Sequence, residues 1–279
     1  MKTYTLKTDG TLKRYDYLWR MTPDRWAWEY LRRNEDFLED ANAFDRSQIS
    51  ERTVCHGIRI LKSRIPQTAA ERWGLILMPD PEQNGIDADV VWNKTAFPDQ
   101  VELNVIPRGE NEACEIYDTS VALARISHFT DSVGREFLLT RGNGCVFQTR
   151  CHGISLLGIE QVRMKLQISD FESYDRKVKA QQEGMRVFGN DPEAETPKWT
   201  KRTHMLRDGL IVLDSLKLGM TRREIATVLY GKSKVEAEWQ SGHMKGAVRY
   251  LVHKAEALRD GGYLVELLGG HVGPERVAA

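Results

Sequence analysis

The chain has 279 residues, of which 41% are hydrophobic and 29% charged, and its formal net charge is zero. This composition is typical of a folded globular protein and excludes a disordered or fibrous chain. No apolar run approaches the roughly 18 residues of a membrane-spanning helix, and the first ten residues lack the apolar core of a signal peptide. Four cysteines are too few for a disulfide framework in a chain of this length, so we expect a cytoplasmic protein with reduced thiols and no membrane partner.

The first segment, residues 1–66, is expected to be helical. Thr22 followed by Pro23 is typical of a helix start, because threonine caps a helix and proline fits its first position. We therefore predict a helix over about 23–32 and a second turn or helix that extends to about residue 44.

Four large aromatic side chains crowd these helices: Trp26, Trp28, Tyr30 and Phe37. They are interpreted as core or as a packing surface for another subunit, with a ligand-stacking platform as a further alternative. Because Trp26 and Trp28 are two residues apart, they cannot share one helix face. We therefore predict that one face packs on the rest of the chain and that a second subunit covers the other, with these four residues as the oligomer interface.

The second segment, residues 67–188, is expected to form a β-rich domain closed by a helix. Asn143-Gly144 between two apolar runs predicts a hairpin of Glu136 to Thr140 with Cys145 to Thr149, because both turn residues tolerate positive φ. Further strands are predicted over Trp73 to Met78, over Val101 to Val105 and over Val162 to Ile168. Ser169 to Glu172 resembles a capping box that opens a helix over about 171–187, and residues 189–200 are interpreted as a linker.

The third segment, residues 201–279, is expected to be a helical domain with its own core. Leucines from Leu206 to Leu216 predict a helix that Gly219 ends. Thr221 and Glu224 form a second capping box, and Gly231 closes the short helix that follows. This pattern resembles the first helix of a helix-turn-helix, in which basic residues at the helix start stay free for phosphates.

A longer helix is predicted from about 243 to 260, after a connection that is longer than the usual turn. Its core stripe is Val248, Leu251, Val252, Ala255 and Leu258, and the residues after Gly261-Gly262 are expected to fold back onto this core. Arginine, tyrosine and histidine lie on the opposite face, which suits reading of a DNA major groove. A helical packing module with a basic surface is the alternative.

The charge distribution favours the DNA-binding interpretation. Residues 198–279 hold 14 Lys/Arg against 9 Asp/Glu, an excess of five positive charges that the rest of the chain balances. The predicted phosphate contacts are Arg222, Arg223, Lys232 and Lys234. The predicted DNA-binding set also includes groove contacts and flanking residues of the long helix: His243, Lys245, Arg249, Tyr250, His253 and Lys254.

Three blocks of sequence resemble the proteobacterial transcription activators typified by RovC, linked to type VI secretion, and FseA, linked to excision of a conjugative element. The first block runs from Trp26 to Asn34, where many relatives continue with proline and this chain has Glu35. The central block is Trp73-Gly74-Leu75, followed by Pro81 and Trp92. The last block is Leu206 to Gly209, Gly219 to Leu229, Trp239, and Val248 to Leu251 through Gly261-Gly262-Tyr263.

The resemblance implies a variant helix-turn-helix with a lengthened turn, an upstream β-rich domain, transcription activation and homo-oligomerisation. Small members of the family keep only the helix-turn-helix-like domain and act as antiactivators. The predicted fold class is thus α+β: an N-terminal helical segment, a central antiparallel β-rich domain and a C-terminal three-helix variant helix-turn-helix domain.

Metal and catalytic sites receive weaker support. Cys-His pairs at 55–56 and 151–152 would fit a zinc site only in tight loops, since adjacent side chains point apart, so we expect neither a metal nor another cofactor. Acidic residues between Asp80 and Glu102 are interpreted as solvated turns, because no acid-x-Lys order typical of a nuclease is present. No motif of a known catalytic class occurs, so no catalytic residue is predicted.

The sequence therefore predicts a non-enzymatic, sequence-specific transcription activator that binds double-stranded DNA as a homo-oligomer. Promoters of conjugative-element transfer or type VI secretion genes are the expected targets, with RNA polymerase or a small antiactivator as possible protein partners. A protein-interaction module that inhibits a related activator is the main alternative, and a metal-dependent nuclease is a distant one.

Overall fold

The structure is a computed structural model that describes residues 12–54, 57–109, 125–158, 161–168, 171, 173–188 and 198–270. It confirms the α+β class. The strands are β1 (Ile49–Thr53), β2 (Arg59–Ser63), β3 (Val101–Pro107), β4 (Arg125–Thr130), β5 (Glu136–Gly142), β6 (Cys145–Gly153) and β7 (Val162–Gln167).

The helices lie before, between and after these strands. They are α1 (Pro23–Leu31), α2 (Glu35–Ala43), α3 (Thr68–Glu71), α4 (Tyr174–Gly184), α5 (Lys201–Lys217), α6 (Arg222–Tyr230), α7 (Lys232–Glu238), α8 (His243–Ala257) and α9 (Tyr263–Glu266). A kink at Asp260 and Gly261 separates α8 from α9. No helix within the described ranges is both long and apolar enough to cross a membrane.

The strands form one sheet in the order β1-β2-β4-β5-β6-β3-β7. The predicted antiparallel arrangement holds for four of the six strand pairs described, and the sheet is mixed, because β2 pairs with β4 in parallel and β3 pairs with β6 in parallel. Parallel neighbours need long crossover connections, and such connections leave no local signal in the sequence. Hairpins join the antiparallel pairs β1/β2 and β5/β6.

The hairpin of β5 and β6 confirms the prediction from Asn143-Gly144. Both residues have positive φ, 55° and 65°, and they connect two strands in register from Glu136↔Cys151 to Gly142↔Cys145. Positive φ at both turn positions matches the right-handed twist of the strands, which is why asparagine and glycine are favoured there.

Several boundaries differ from those predicted. Residues 49–53 and 59–63, placed in the helical segment, form β1 and β2. Residues 73–78 are no strand and contribute only an isolated bridge of Leu75 to Trp92. The strand β4 was not predicted. The helix predicted over about 171–187 is α4, which follows Ser173 in a left-handed conformation. Most of the capping box predicted at 169–172 and most of the linker predicted at 189–200 lie outside the described residues.

One hydrophobic core joins the N-terminal helices to the C-terminal ones. It contains residues of α1 and α2, the segment around Trp92, and the inward faces of α5, α6 and α8. Tyr30 of α1 donates a hydrogen bond of 2.8 Å to the carbonyl of Leu206, and Tyr263 of α9 donates one of 3.0 Å to the carbonyl of Trp73. The predicted domain boundaries at 66, 188 and 200 stay a prediction, and the helices on either side of them share this core.

Candidate nucleic-acid interface

The helix α6 begins and ends where its sequence predicts. The Thr221 hydroxyl accepts a hydrogen bond from the Glu224 amide, and the Glu224 carboxylate accepts one of 2.7 Å from the Thr221 amide, which completes a capping box. Gly231, at φ 84°, ends the helix. Ile225, Ala226 and Val228 are buried, and the helix start projects into solvent.

The connection between α6 and α8 is itself helical. The sequence treated 232–242 as a lengthened turn; seven of these residues form α7, and a single 3-10 turn follows, Trp239–Ser241. Val235 anchors α7 in the core, with 2% of its surface exposed. The helix α7 thus holds α6 and α8 apart by one short helix instead of a three- or four-residue turn, as expected for a variant helix-turn-helix.

The helix α8 has one buried and one exposed face. The predicted core stripe is confirmed, since Val248, Leu251, Val252, Ala255 and Leu258 are all buried. The side opposite this stripe, called here the exposed face of α8, consists of His243, Gly246, Arg249, Tyr250 and His253. Tyr250 is 63% exposed, which is unusual for so large a ring.

The start of α8 is open to a ligand. Its N-cap residue, Gly242, has no side chain, so no side-chain hydrogen bond caps the first amide groups. The first N–H groups of a helix lack intrahelical acceptors and attract anions such as phosphate. His243 and Lys245 flank this end, and both are exposed.

The cations of this region fall into two groups. Within the described part of the chain, Arg222, Arg223 and Arg249 are exposed and make no ion pair. Unpaired arginines can form the bidentate contacts that phosphates and guanine edges accept. They are therefore available to a polyanion without first giving up an internal partner.

The lysines are partly engaged. Lys232 lies 3.7 Å from the Glu236 carboxylate, though both remain largely exposed. Lys234 lies over the ring of Tyr230 and Lys245 over that of Trp239, each 5.8 Å from the ring centroid. Lys254 contacts both carboxylate oxygens of Glu266, at 2.5 and 2.6 Å, so its charge is already balanced within the fold.

The predicted oligomer interface needs a correction. Trp26, Trp28, Tyr30 and Phe37 are at most 2% exposed within a single chain. The expectation that a second subunit must cover one side of these four aromatic residues is therefore wrong. Trp28 packs edge-on against Phe37, and Trp26 and Tyr30 lie in the same core as α5 and α8, so no second subunit is needed to bury them. The two sides of this short helix are covered by different parts of one chain.

A network of charged residues that the sequence reasoning missed holds α5 in place. Glu29, with no exposed surface, contacts Arg32 and Arg33 at 2.8 Å each, and Arg33 also binds Asp214 of α5 at 2.7 and 2.8 Å. Burial by itself raises the pKa of the Glu29 carboxyl, but the two guanidinium groups outweigh this effect and leave its pKa below the usual value. The alternation of acids and arginines in α1 was the available signal.

The candidate metal and nuclease residues do not converge. In the ranges that the structure describes, no group of three His, Cys, Asp or Glu side chains is placed to hold a metal ion. The pair Cys55-His56 and Cys114 lie outside the described residues. The acidic residues of 80–102 are spread over separate ion pairs: Asp87 with Arg125, Asp89 with Arg59 and Arg141, and Glu102 with Lys94.

Two family models match this chain. Residues 164–268 match a DNA-binding domain described for a transcription factor of the type VI secretion system, RovC, and this match contains all of α5 to α9. Residues 11–76 match a proteobacterial transcriptional regulator-like domain. Among curated proteins, none matches the chain. The two matches support a RovC-like family of proteobacterial transcriptional regulators, with a DNA-binding function in the C-terminal helices and DNA as a partner of this chain.

Proposed function

We propose that this protein is a sequence-specific transcription activator that acts as a homo-oligomer and reads the DNA major groove with α8. The observation that carries the proposal is the exposed face of α8, where an unpaired arginine, a tyrosine and two histidines lie opposite a fully buried stripe. A major groove about 12 Å wide admits one helix, and arginine discriminates guanine by two parallel hydrogen bonds.

The residues divide by role. We assign Arg249, Tyr250, His253 and Lys245 to the groove, and His243 to the edge of the groove at the start of α8. Phosphate contacts are assigned to four residues at the starts of α6 and α7: Arg222, Arg223, Lys232 and Lys234. Lys254 is the weakest of the proposed contacts, because binding to DNA would cost its ion pair with Glu266.

The activator role is supported by the presence of two family domains in one chain. The regulator-like match at 11–76 and the DNA-binding match at 164–268 both occur here, and the core joins the helices of the two regions. A chain that only inhibited a related activator would not need the first region. The proposed targets are promoters of type VI secretion or conjugative-element transfer genes, and RNA polymerase is the proposed protein partner.

The test begins with selection of bound sequences from a random duplex library by the full-length protein. Fluorescence anisotropy then compares the selected duplex with a shuffled one at several salt concentrations, and a promoter–reporter fusion measures activation. Light scattering gives the subunit number. We expect Arg249→Ala to lose about 1–3 kcal/mol of discrimination between the two duplexes, the scale of one bidentate base contact.

The matched control is Arg259→Ala. This change removes the same charge from a residue ten positions further along the chain, where the guanidinium is paired with Asp260 at 2.7 Å and lies off the exposed face. It should leave the discrimination unchanged. An Arg249→Ala protein that discriminates as well as the native one would remove α8 from the groove. A native protein that binds no duplex but binds a related activator would favour the antiactivator instead.

A further inference from the structure

The sheet carries a cavity of about 340 Å³ on the face that points away from the shared core of the helices. Along β5, Phe137 and Leu139 belong to a core cluster on one side, whereas Leu138 and Thr140 line the cavity on the other. The alternation is that of a strand, in which successive side chains point to opposite faces. All strands but β1 contribute to the lining, so the sheet curls around the cavity.

The walls are mostly apolar, but three polar side chains that line the cavity each have a buried atom without a hydrogen-bond partner: His128, Thr149 and Arg108, whose Nε is unpaired while its Nη2 donates to Gln161 at 2.7 Å. His128 and Thr149 are 3% and 2% exposed and line the cavity, and neither Nδ1 of His128 nor Oγ1 of Thr149 has a hydrogen-bond partner among the described residues. Both lie beside Leu138 in register, one on β4 and one on β6. A buried polar atom without a partner is costly, and such atoms in a protein call for an explanation.

The protonation of His128 fixes what its free nitrogen can bind. Its Nε2 lies 3.1 Å from Glu136, whose carboxylate also accepts hydrogen bonds from the Ser155 hydroxyl and the Leu156 amide. Burial lowers the pKa of His128 despite this carboxylate, so the ring is neutral near pH 7. The Nε2–H then donates to Glu136, and Nδ1 presents a lone pair that needs a hydrogen-bond donor.

We infer that this cavity binds a mainly apolar small molecule that carries a hydroxyl or amide group as hydrogen-bond donor. Its volume falls within the range of about 300–1,000 Å³ that small-molecule sites occupy, and such sites combine apolar walls with a few placed polar groups. Leu157, Leu166 and Met185 line the cavity and are each about two-fifths exposed, which gives it an apolar mouth. This site is separate from the DNA-binding surface, so the inference does not rest on the proposed function.

The test uses three probes with a ten-carbon chain, decan-1-ol, decanamide and N,N-dimethyldecanamide, each below the concentration at which it aggregates. Isothermal titration calorimetry with the full-length protein measures their dissociation constants. We expect decan-1-ol and decanamide to bind in a saturable one-to-one manner. N,N-Dimethyldecanamide should bind at least tenfold more weakly than decanamide, because it keeps the carbonyl acceptor but offers Nδ1 of His128 no donor.

Three variants locate the probes. Thr149→Val keeps the shape of the side chain and should weaken decanamide binding about three- to tenfold, the scale of one hydrogen bond. Thr130→Val is the matched control, since the Thr130 hydroxyl is also buried without a partner but does not line the cavity; binding should not change. Leu138→Trp fills the cavity and should abolish binding. Circular dichroism and thermal unfolding without probe show that each variant is folded.

Four results would overturn the inference. They are the absence of saturable binding to the native protein, equal binding by Leu138→Trp, equal effects of Thr149→Val and Thr130→Val, and binding of N,N-dimethyldecanamide as tight as that of decanamide. Light scattering tests whether a second copy of the chain occupies the cavity. A Leu138→Trp protein with a reduced subunit number would assign the cavity to an interface between copies and would also contradict a small-molecule site.

Discussion

Arginine and aromatic side chains crowd both the first helix and the exposed face of α8, yet the two regions lie in opposite environments. Directly after α1, Arg32 and Arg33 bind the buried carboxylate of Glu29, and Trp26 and Trp28 of the helix have at most 2% exposed surface. On α8, Arg249 has no carboxylate partner among the described residues and Tyr250 is 63% exposed. Residue type alone therefore does not distinguish a structural arginine from a ligand-binding one; the position of the carboxylates does.

The two groups of arginines also differ in what they contribute to stability. A buried ion pair contributes little net stability relative to an apolar replacement, but loss of one partner leaves a charge in the core and is strongly unfavourable. An exposed, unpaired arginine contributes almost nothing to stability, so its charge remains available for DNA. Mutations at the two regions should then affect different measurements.

The largest expected effect is that of Arg33→Met. Methionine keeps most of the apolar stem but removes the hydrogen bonds to Glu29 and Asp214. Glu29 then keeps Arg32 as its one cationic partner among the described residues, beside the Tyr17 hydroxyl and the Gly85 amide, and Asp214 keeps the Tyr15 hydroxyl. We expect the free energy of unfolding to fall by about 3 kcal/mol. Urea unfolding followed by circular dichroism measures it.

The matched control for this change is Arg222→Met, which removes the same charge from an exposed residue at the start of α6. Its effect on stability should stay within about 0.5 kcal/mol, as for other surface substitutions. Equal losses of stability for the two variants would mean that the N-terminal network does not hold α1 against α5.

The next effect concerns the contact of α1 with α5. Gly209 lies under the Tyr30 hydroxyl, and a Cβ at residue 209 would overlap the Tyr30 oxygen. Gly209→Ala should therefore displace Tyr30 and break its hydrogen bond to the Leu206 carbonyl, at a cost of about 2 kcal/mol, the loss expected for a buried acceptor without a donor together with local repacking.

A double-mutant cycle isolates this contact. Tyr30→Phe removes the oxygen that a Cβ at residue 209 would meet, and the next nearest Tyr30 atom is 3.5 Å away, an ordinary contact distance. Gly209→Ala should thus be less destabilising in the Tyr30→Phe background than in the native one. Strict additivity would place the steric conflict elsewhere.

The elements that the sequence predicts well are those with local signals. Asn143-Gly144 specifies its hairpin through positive φ at two adjacent residues, and Thr221 with Glu224 specifies the start of α6 through hydrogen bonds only three residues apart. The buried stripe of α8 follows from the 3.6-residue period. The α+β class and the DNA-binding module follow from these elements together.

The features that sequence reasoning missed depend on partners far along the chain. Arg33 and Asp214 are 181 residues apart, and no spacing rule links them. The strand β4 pairs in parallel with β2 across a long connection, and both strands were missed. The aromatic residues of α1 were predicted to need a second subunit, but the C-terminal helices of the same chain pack against them. The cavity is likewise a property of six strands and not of any one.

A smaller effect distinguishes the paired from the unpaired cations of the DNA-binding module. Each phosphate contact releases counterions, so its removal lowers the slope of log K against log salt by about 0.9. Arg222→Gln and Arg223→Gln should each show this change in anisotropy titrations. Lys254→Gln should change the slope by much less, because Glu266 already neutralises that ammonium group. A full change of slope for Lys254→Gln would mean that DNA displaces the internal ion pair.

The smallest effect is expected at Gly246, where stability and DNA binding should change in opposite directions. A glycine inside a helix costs about 0.5 kcal/mol or more relative to alanine, and a Cβ at residue 246 would meet no atom within 4 Å. Gly246→Ala should therefore raise the free energy of unfolding by about that amount. On the exposed face of α8, however, the same methyl group lies between the helix backbone and the proposed groove, so affinity for the selected duplex should fall.

Ala247→Gly is the reverse change at an exposed neighbour and should lower stability. Thermal unfolding and anisotropy on both variants decide the matter: a Gly246→Ala protein that gains stability and keeps its full affinity would mean that DNA does not approach the backbone of α8 closely at this residue.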